Sequence, residues 1–242
     1  MNPCKQFFKK KCKIIILLCL FPFLNIPPLF CDNLFPKQNP QTANISKTVE
    51  VIMENIEKKY SQAGFSADFN QVSTLKALDI TDTASGTMIV KRPGMMRWEY
   101  EKPEKQIIIS DGDKLWIYRP EDNQVLTGRA PEFFKEGKGA GFLSDMKILR
   151  KKFNISLVKN ESDSFYMLKL LPNKKMFDIS SIFIKVLKRN FNIVRIITYN
   201  SYEDETKIDL VDIKFKEKID DSIFNFIIPE GIDVLQINES ES

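Results

Sequence analysis

A chain of 242 residues, 43% hydrophobic and 28% charged, has the size and make-up of one large folded domain or two small ones. It contains no histidine, which closes Ser-His-Asp machinery, histidine–zinc centres and most neutral-pH proton shuttles. The formal net charge of +4 sits at the N-terminus: without residues 1–31, 31 bases face 32 acids, a net of −1, so no basic excess is left to hold nucleic acid.

In chain order, Lys5, Lys9, Lys10, Lys11 and Lys13 precede the apolar run "IIILLCLFPFL". That run has the length of a signal h-region and is short for a bilayer span, so residues 1–31 read as a signal peptide. The cleavage site is imperfect, with Leu29 and Cys31 where small residues are preferred. A retained N-terminal anchor is the alternative, and Phe30 before Cys31 departs from a lipoprotein box. All four cysteines (Cys4, Cys12, Cys19, Cys31) fall in this segment, which leaves the exported body without a disulfide framework or thiolate metal ligands. Acid pairs of the glycosidase kind stay conceivable, but no pairing stands out among the scattered carboxylates. The reading is therefore a non-enzyme, with no catalytic residue, no metal ligand and no cofactor.

Residues 32–43 are polar and proline-broken and read as a flexible lead; residues 44–242 read as a single domain. A helix follows the lead, with Ile45, Val49, Ile52, Met53, Ile56 and Tyr60 on one stripe, a cap at Asn44 or Ser46, and Gly64 placed to end it. The period then becomes two. Phe65, Ala67 and Phe69 alternate with polar residues, "GTMIVKR" and "MRWEY" follow, and "KQIIIS" and "KLWIY" flank an Asp111-Gly112 turn. "QVLTG" is next. Residues 131–152 break the pattern, with three glycines within five residues and then Phe142, Met146 and Leu149 at helical spacing. Strands resume at "FNISLV", "FYMLKLL", "SIFIKVL", "FNIVRIITY" and "KIDLVDIKF", and "FNFIIPEGIDVL" ends the fold. This predicts a mainly β domain: an incomplete, half-closed antiparallel barrel of ten to eleven strands with a helical lid, and no parallel sheet.

Several strands are apolar on both faces, notably Ile107-Ile108-Ile109 and Leu115-Trp116-Ile117-Tyr118. Such strands need cover on both sides. The leading helix can cover one side and segment 141–149 the other. A barrel filled by its own side chains and one enclosing an apolar cavity both fit this pattern.

Residues 86–125, "GTMIVKRPGMMRWEYEKPEKQIIISDGDKLWIYRPEDNQV", resemble the LolA family of periplasmic outer-membrane lipoprotein carriers. The ordered elements are G-x-hydrophobic-x-K-R-P, an aromatic strand with Trp98, D-G-x-x-L-W-x-Y and Q-V. "YSQAGFSADFNQV" upstream and "FNFIIPEGIDVL" downstream extend the likeness to roughly residues 45–235. The resemblance implies a monomeric periplasmic carrier that takes acylated lipoproteins from an inner-membrane lipoprotein-releasing ABC transporter to an outer-membrane acceptor. It performs no chemistry and needs no nucleic acid. Another lipid binder, or a lipoprotein acceptor or sensor on the same fold, is the alternative.

The resemblance also assigns residues. Arg92 and Pro93 match the latch that holds the lid shut; proline pushes the preceding residue into extended geometry, which would aim the guanidinium. The bland alternative is a solvated cation at a strand end. Met96, Trp98 and Tyr100 share one face by alternation, and with Ile107, Ile109 and Trp116 are the expected acyl-cavity lining. Met96 also fits ordinary core packing, and Trp116 a place under the leading helix. Phe142, Leu143, Met146 and Leu149 are the lid candidates, unless that segment is permanently docked.

Overall fold

The structure, a computed structural model, describes residues 40–131, 141–144, 146–158, 162–176 and 178–237. The signal segment, residues 32–39 of the lead and most of the glycine-rich stretch lie outside the described residues, as does the side chain of Ile45.

Helix α1 runs from Pro40 to Gln62. It starts earlier than the predicted caps, so Asn44 and Ser46 are interior and the lead is shorter than expected. Proline suits a first helical turn, where its missing N–H costs nothing. Val49, Ile52, Met53, Ile56 and Tyr60 form its buried stripe. Strand β1 (Gly64–Leu75) follows at once and alternates, with Phe65, Ala67 and Phe69 buried beneath α1.

Eleven further strands complete one sheet: β2 (Ile80–Lys91), β3 (Met95–Lys102), β4 (Gln106–Asp111), β5 (Lys114–Arg119), β6 (Gln124–Arg129), β7 (Phe153–Val158), β8 (Phe165–Pro172), β9 (Ser181–Leu187), β10 (Ile193–Tyr199), β11 (Glu205–Lys216) and β12 (Asp233–Gln236). The order is β12-β6-β5-β4-β3-β2-β1-β11-β10-β9-β8-β7, so β1 zips to β11 and the sheet stays open, with β12 and β7 at its edges. Every pairing is antiparallel except one: β12 lies parallel to β6. The sheet is antiparallel as expected, with this single parallel pair at its edge. No crossover helix is needed, because residues 217–232 themselves cross the sheet to reach the far edge.

Local chemistry explains the junctions. Asp111 accepts from the N–H groups of Asp113 and Lys114 at 2.9 and 2.7 Å, and Gly112 takes φ 102° in the β4–β5 turn. Gly86, in the middle of β2, is needed because β3 passes so close that an added Cβ would lie 1.9 Å from the Glu99 carbonyl oxygen.

The sheet has two covers. On the inner face lie α1 and, after a short turn over Gly141–Ser144, helix α2 (Lys147–Lys152), which runs directly into β7. Both belong to the main apolar cluster. The expectation that they would take opposite sides is corrected. The outer face of β2–β5 is crossed instead by the C-terminal segment, whose turn Asp221–Phe224 sits on β3 and β4.

Candidate functional site

The inner face is built as cross-strand rows. Register places Ile117, Ile108, Trp98, Met88 and Ala67 side by side across β5, β4, β3, β2 and β1. Met96 and Trp98 are buried there, and Tyr100 is half-buried on the same face. Phe69 meets Trp98 edge-on at 5.1 Å and Tyr100 at 4.9 Å, so the centre of this face is an aromatic triad. Tyr100 donates to Gln71 Oε1 at 3.1 Å, and burial pushes its phenol up to about 12. Trp98 Nε1 is buried and has no hydrogen-bond partner.

Phe142, Leu143, Met146 and Leu149 face the same cluster, and Met146 is 0% exposed. Among the described residues these side chains join those of the sheet and α1 in one buried apolar cluster. Two clefts of about 610 and 300 Å³ lie at the surface; they are lined mainly by polar and charged side chains and are not an apolar hollow.

Arg92 occupies the turn between β2 and β3 together with Pro93. Its Nη2 donates to the Leu143 carbonyl at 3.2 Å, joining the sheet to the segment that precedes α2. The turn is itself anchored. Ser110, wholly buried, donates to the Gly94 carbonyl at 2.9 Å and accepts from the Gly112 N–H at 3.1 Å. A second arginine, not anticipated from the sequence, ties the two inner elements together. Arg150 of α2 donates to Glu57 at 2.5 Å and also pairs with Glu50, both on α1. Glu50 and Glu57 stand two turns apart on one helix face, a spacing the sequence does contain. Tyr60 closes the far end of α1 by accepting from the Ile193 N–H at 2.8 Å. Burial raises the Tyr60 phenol well above its ordinary value.

Three predicted lining residues lie elsewhere. Ile109 pairs with Arg97 and with Trp116, and Ile107 with Glu99 and Tyr118, so all of them face outward. Phe226 covers Trp116 at 6.3 Å and Tyr118 at 5.4 Å between ring centres. Ile107, Ile109 and Trp116 therefore pack under the C-terminal segment and are not on the face of Trp98. Alternation fixes which residues share a face, but a strand apolar on both sides does not say which face is which.

A family description, "Outer membrane lipoprotein carrier protein LolA", matches residues 61–227. The chain belongs to the LolA family. An outer-membrane lipoprotein carrier protein of Legionella pneumophila (strain Corby) is 30% identical over 171 residues, spanning 70% of this chain and 82% of the relative. Its counterpart in Neisseria meningitidis serogroup B is 28% identical over 172 residues, spanning 71% and 80%. An uncharacterized conserved protein of Thermus thermophilus, known from a crystal structure, shares the fold at a TM-score of 0.51 and 12% identity, over 78% of this chain and 99% of that one. The LolA match takes in the sheet from β1 to β11, the Arg92–Leu143 contact and the outer crossing as far as Ile227. Most of α1 and all of β12 lie beyond it.

Proposed function

We propose that this protein carries lipoproteins across the periplasm, sheltering their acyl chains between the inner face of the sheet and the cover formed by α1 and residues 141–152. On this reading residues 1–31 direct export. A monomer receives cargo from an inner-membrane lipoprotein-releasing ABC transporter and gives it to an outer-membrane acceptor. Membership of the LolA family supports this, as do the names of the Legionella and Neisseria relatives. The observation that carries it is the construction of the inner face. A wide apolar surface centred on Met96, Trp98 and Tyr100 is closed by small elements that add no strand of their own to it.

The magnitudes explain why such a cover should open only against cargo. Re-exposing Phe142, Leu143, Met146 and Leu149 costs about 6–12 kcal/mol at ~1.5–3 per side chain. Each acyl methylene removed from water returns about 0.8 kcal/mol, so two or three long chains outweigh the cover severalfold. Affinity on that scale would exceed the noncovalent ceiling if cargo came through water. It therefore passes between apolar sites, and the closing energy of the cover keeps the carrier from becoming a sink. Arg92 is the proposed latch, positioned by the Pro93 turn, and contributes about 1.5–3 kcal/mol to closure as a charged donor.

Crosslinking in the periplasm followed by mass spectrometry tests the reading: triacylated lipoproteins should be recovered with the protein, and their consistent absence would overturn it. For the latch, Arg92→Leu should load cargo normally and release it to acceptor membranes more slowly than wild type. Equal release rates would remove Arg92 from that role.

A further inference from the structure

Buried polar atoms are paired almost everywhere in native proteins, and an exception asks for a reason. On and around the inner face the pairing is thorough. Ser110 is satisfied on both sides by Gly94 and Gly112, the Tyr100 hydroxyl is held by Gln71, and the Tyr60 oxygen accepts from Ile193. Among the described residues a single buried side-chain nitrogen or oxygen has no partner, and it is Trp98 Nε1. Trp98 is 3% exposed and lies between Met88 and Ile108 in the inner row, against Phe69. An indole N–H is a donor and nothing else. Phenylalanine would fill an apolar wall without leaving a donor unpaired.

We infer that Trp98 Nε1 is a recognition group for cargo, donating a hydrogen bond to an acyl carbonyl oxygen when the cover lifts and the chains enter. This rests on the carrier reading and deepens it. Hydrocarbon tails offer only apolar surface, which cannot distinguish an acylated protein from any other greasy molecule. The acceptor nearest to those tails is the carbonyl that joins each one to its glycerol or to an amino group. A lone donor on an otherwise apolar, aromatic wall fixes the depth at which that carbonyl comes to rest. It also biases the site toward acyl rather than plain alkyl chains. The empty protein leaves this donor unpaired, and the ligand satisfies it, so the bond contributes in the loaded state alone.

The test is a cycle of protein and ligand changes, using protein purified after expression of the full chain. The probes are dipalmitoylglycerol, with ester carbonyls, the ether-linked dihexadecylglycerol, without them, and an N-palmitoyl peptide, with an amide carbonyl. Wild type should bind the ester about tenfold more tightly than the ether, while Trp98→Phe should bind the two alike; the difference is the coupling. A comparable advantage for the N-palmitoyl peptide would place the amide carbonyl at Trp98, and its absence would leave the glyceryl esters as the source. A readout that needs no variant is the indole N–H proton resonance. The chain has two tryptophans, so two such signals are expected, and one should move downfield with the ester and not with the ether. An unchanged ester-to-ether ratio in Trp98→Phe, or indole signals indifferent to the carbonyl, would overturn the inference while leaving the carrier reading intact. If wild type binds none of the three probes, the carrier reading itself fails and takes this inference with it.

Discussion

The two faces of the β2–β3 hairpin use one device to different ends. On the inner face, Arg92 donates to the Leu143 carbonyl at 3.2 Å. On the outer face, Arg97 donates to the Ile223 carbonyl at 3.1 Å. In each case a guanidinium fastens the backbone of a covering segment to the sheet. The covers differ in what else holds them. The outer one is also tied by Lys91, which reaches the Ile219 carbonyl at 2.9 Å and pairs with Asp221, and it ends as β12 hydrogen-bonded along β6. The inner one adds no strand over Trp98; besides the Arg92 bond it joins the sheet where α1 leads into β1 and is held by Tyr60 on Ile193, and where α2 runs into β7. An arginine–carbonyl bond can act as a latch only where the remaining contacts are apolar and can be exchanged for another apolar surface.

The largest expected effect separates the two tryptophans. Trp98→Ala should cost about 3–5 kcal/mol in urea unfolding, because a fully packed aromatic leaves a cavity. Trp116→Ala should cost no more than about half of that, since its ring is already half-open beneath Phe226. Equal costs would mean that the outer cover is packed as tightly as the inner one, and the contrast between the faces would disappear. Next in size are the arginines themselves. Arg92→Leu should lose about 1.5–3 kcal/mol of local closure. It should speed amide hydrogen exchange at residues 146–152 and leave residues 221–226 unchanged. Arg97→Leu should do the reverse and leave cargo transfer as in wild type. If Arg97→Leu slowed transfer as much as Arg92→Leu, the outer segment would belong to the carrier mechanism.

Much of this plan was legible in the chain. Alternation placed β7 at 153–158 and β9 at 181–187 to the residue, and the apolar spacing 142, 146, 149 pointed to a cover before the sheet resumed. What could not be read was sidedness. Ile107, Ile108 and Ile109 are equally apolar, and what covers their outer side is the distant turn Asp221–Phe224 with Phe226, whose crossing is a non-local event without a periodic signature. The parallel β12 was hidden for the same reason, since its crossover is an irregular segment and not a helix. Arg92 was visible only through the family motif, for an Arg-Pro at a strand end is by itself equally at home in water. Arg150 was missed because its partners lie about a hundred residues earlier, on a helix assigned to the opposite face.

A smaller effect probes the aromatic centre of the inner face. The Tyr100 phenol is held up to about 12 by burial, against an ordinary value near 10. Between these values the unfolded chain releases a proton that the folded protein retains. The unfolded state then binds fewer protons, so stability must fall as pH rises from about 10. At pH 11 the Tyr100 contribution to that loss is about 1.4 kcal/mol. Tyr100→Phe should flatten the wild-type fall in melting temperature between neutral pH and pH 11 by the corresponding amount. An identical fall in both proteins would mean that Tyr100 meets solvent, which would weaken the claim that the inner cover closes over it.

The smallest effect decides which part of the inner cover moves. Arg150 joins α2 to Glu57 and Glu50 of α1, and Glu57 is the less exposed acid, at 25% against 58%. A partly exposed pair of this kind is worth at most about 1 kcal/mol and is screened by salt. If α1 and α2 lift from the sheet as one body, the pair survives opening and Glu57→Gln changes nothing in loading. If α2 lifts away from α1, the pair must break, and removing it makes opening easier. The second outcome is expected, because Arg92 grips the segment leading into α2 while α1 is held separately by the bond between Tyr60 and Ile193. Glu57→Gln should therefore strengthen binding of an environment-sensitive apolar dye about two- to fivefold at low salt, and the gain should vanish in 1 M salt, where the Debye length is about 3 Å. A variant indistinguishable from wild type at low salt would make the moving unit α1 and α2 together.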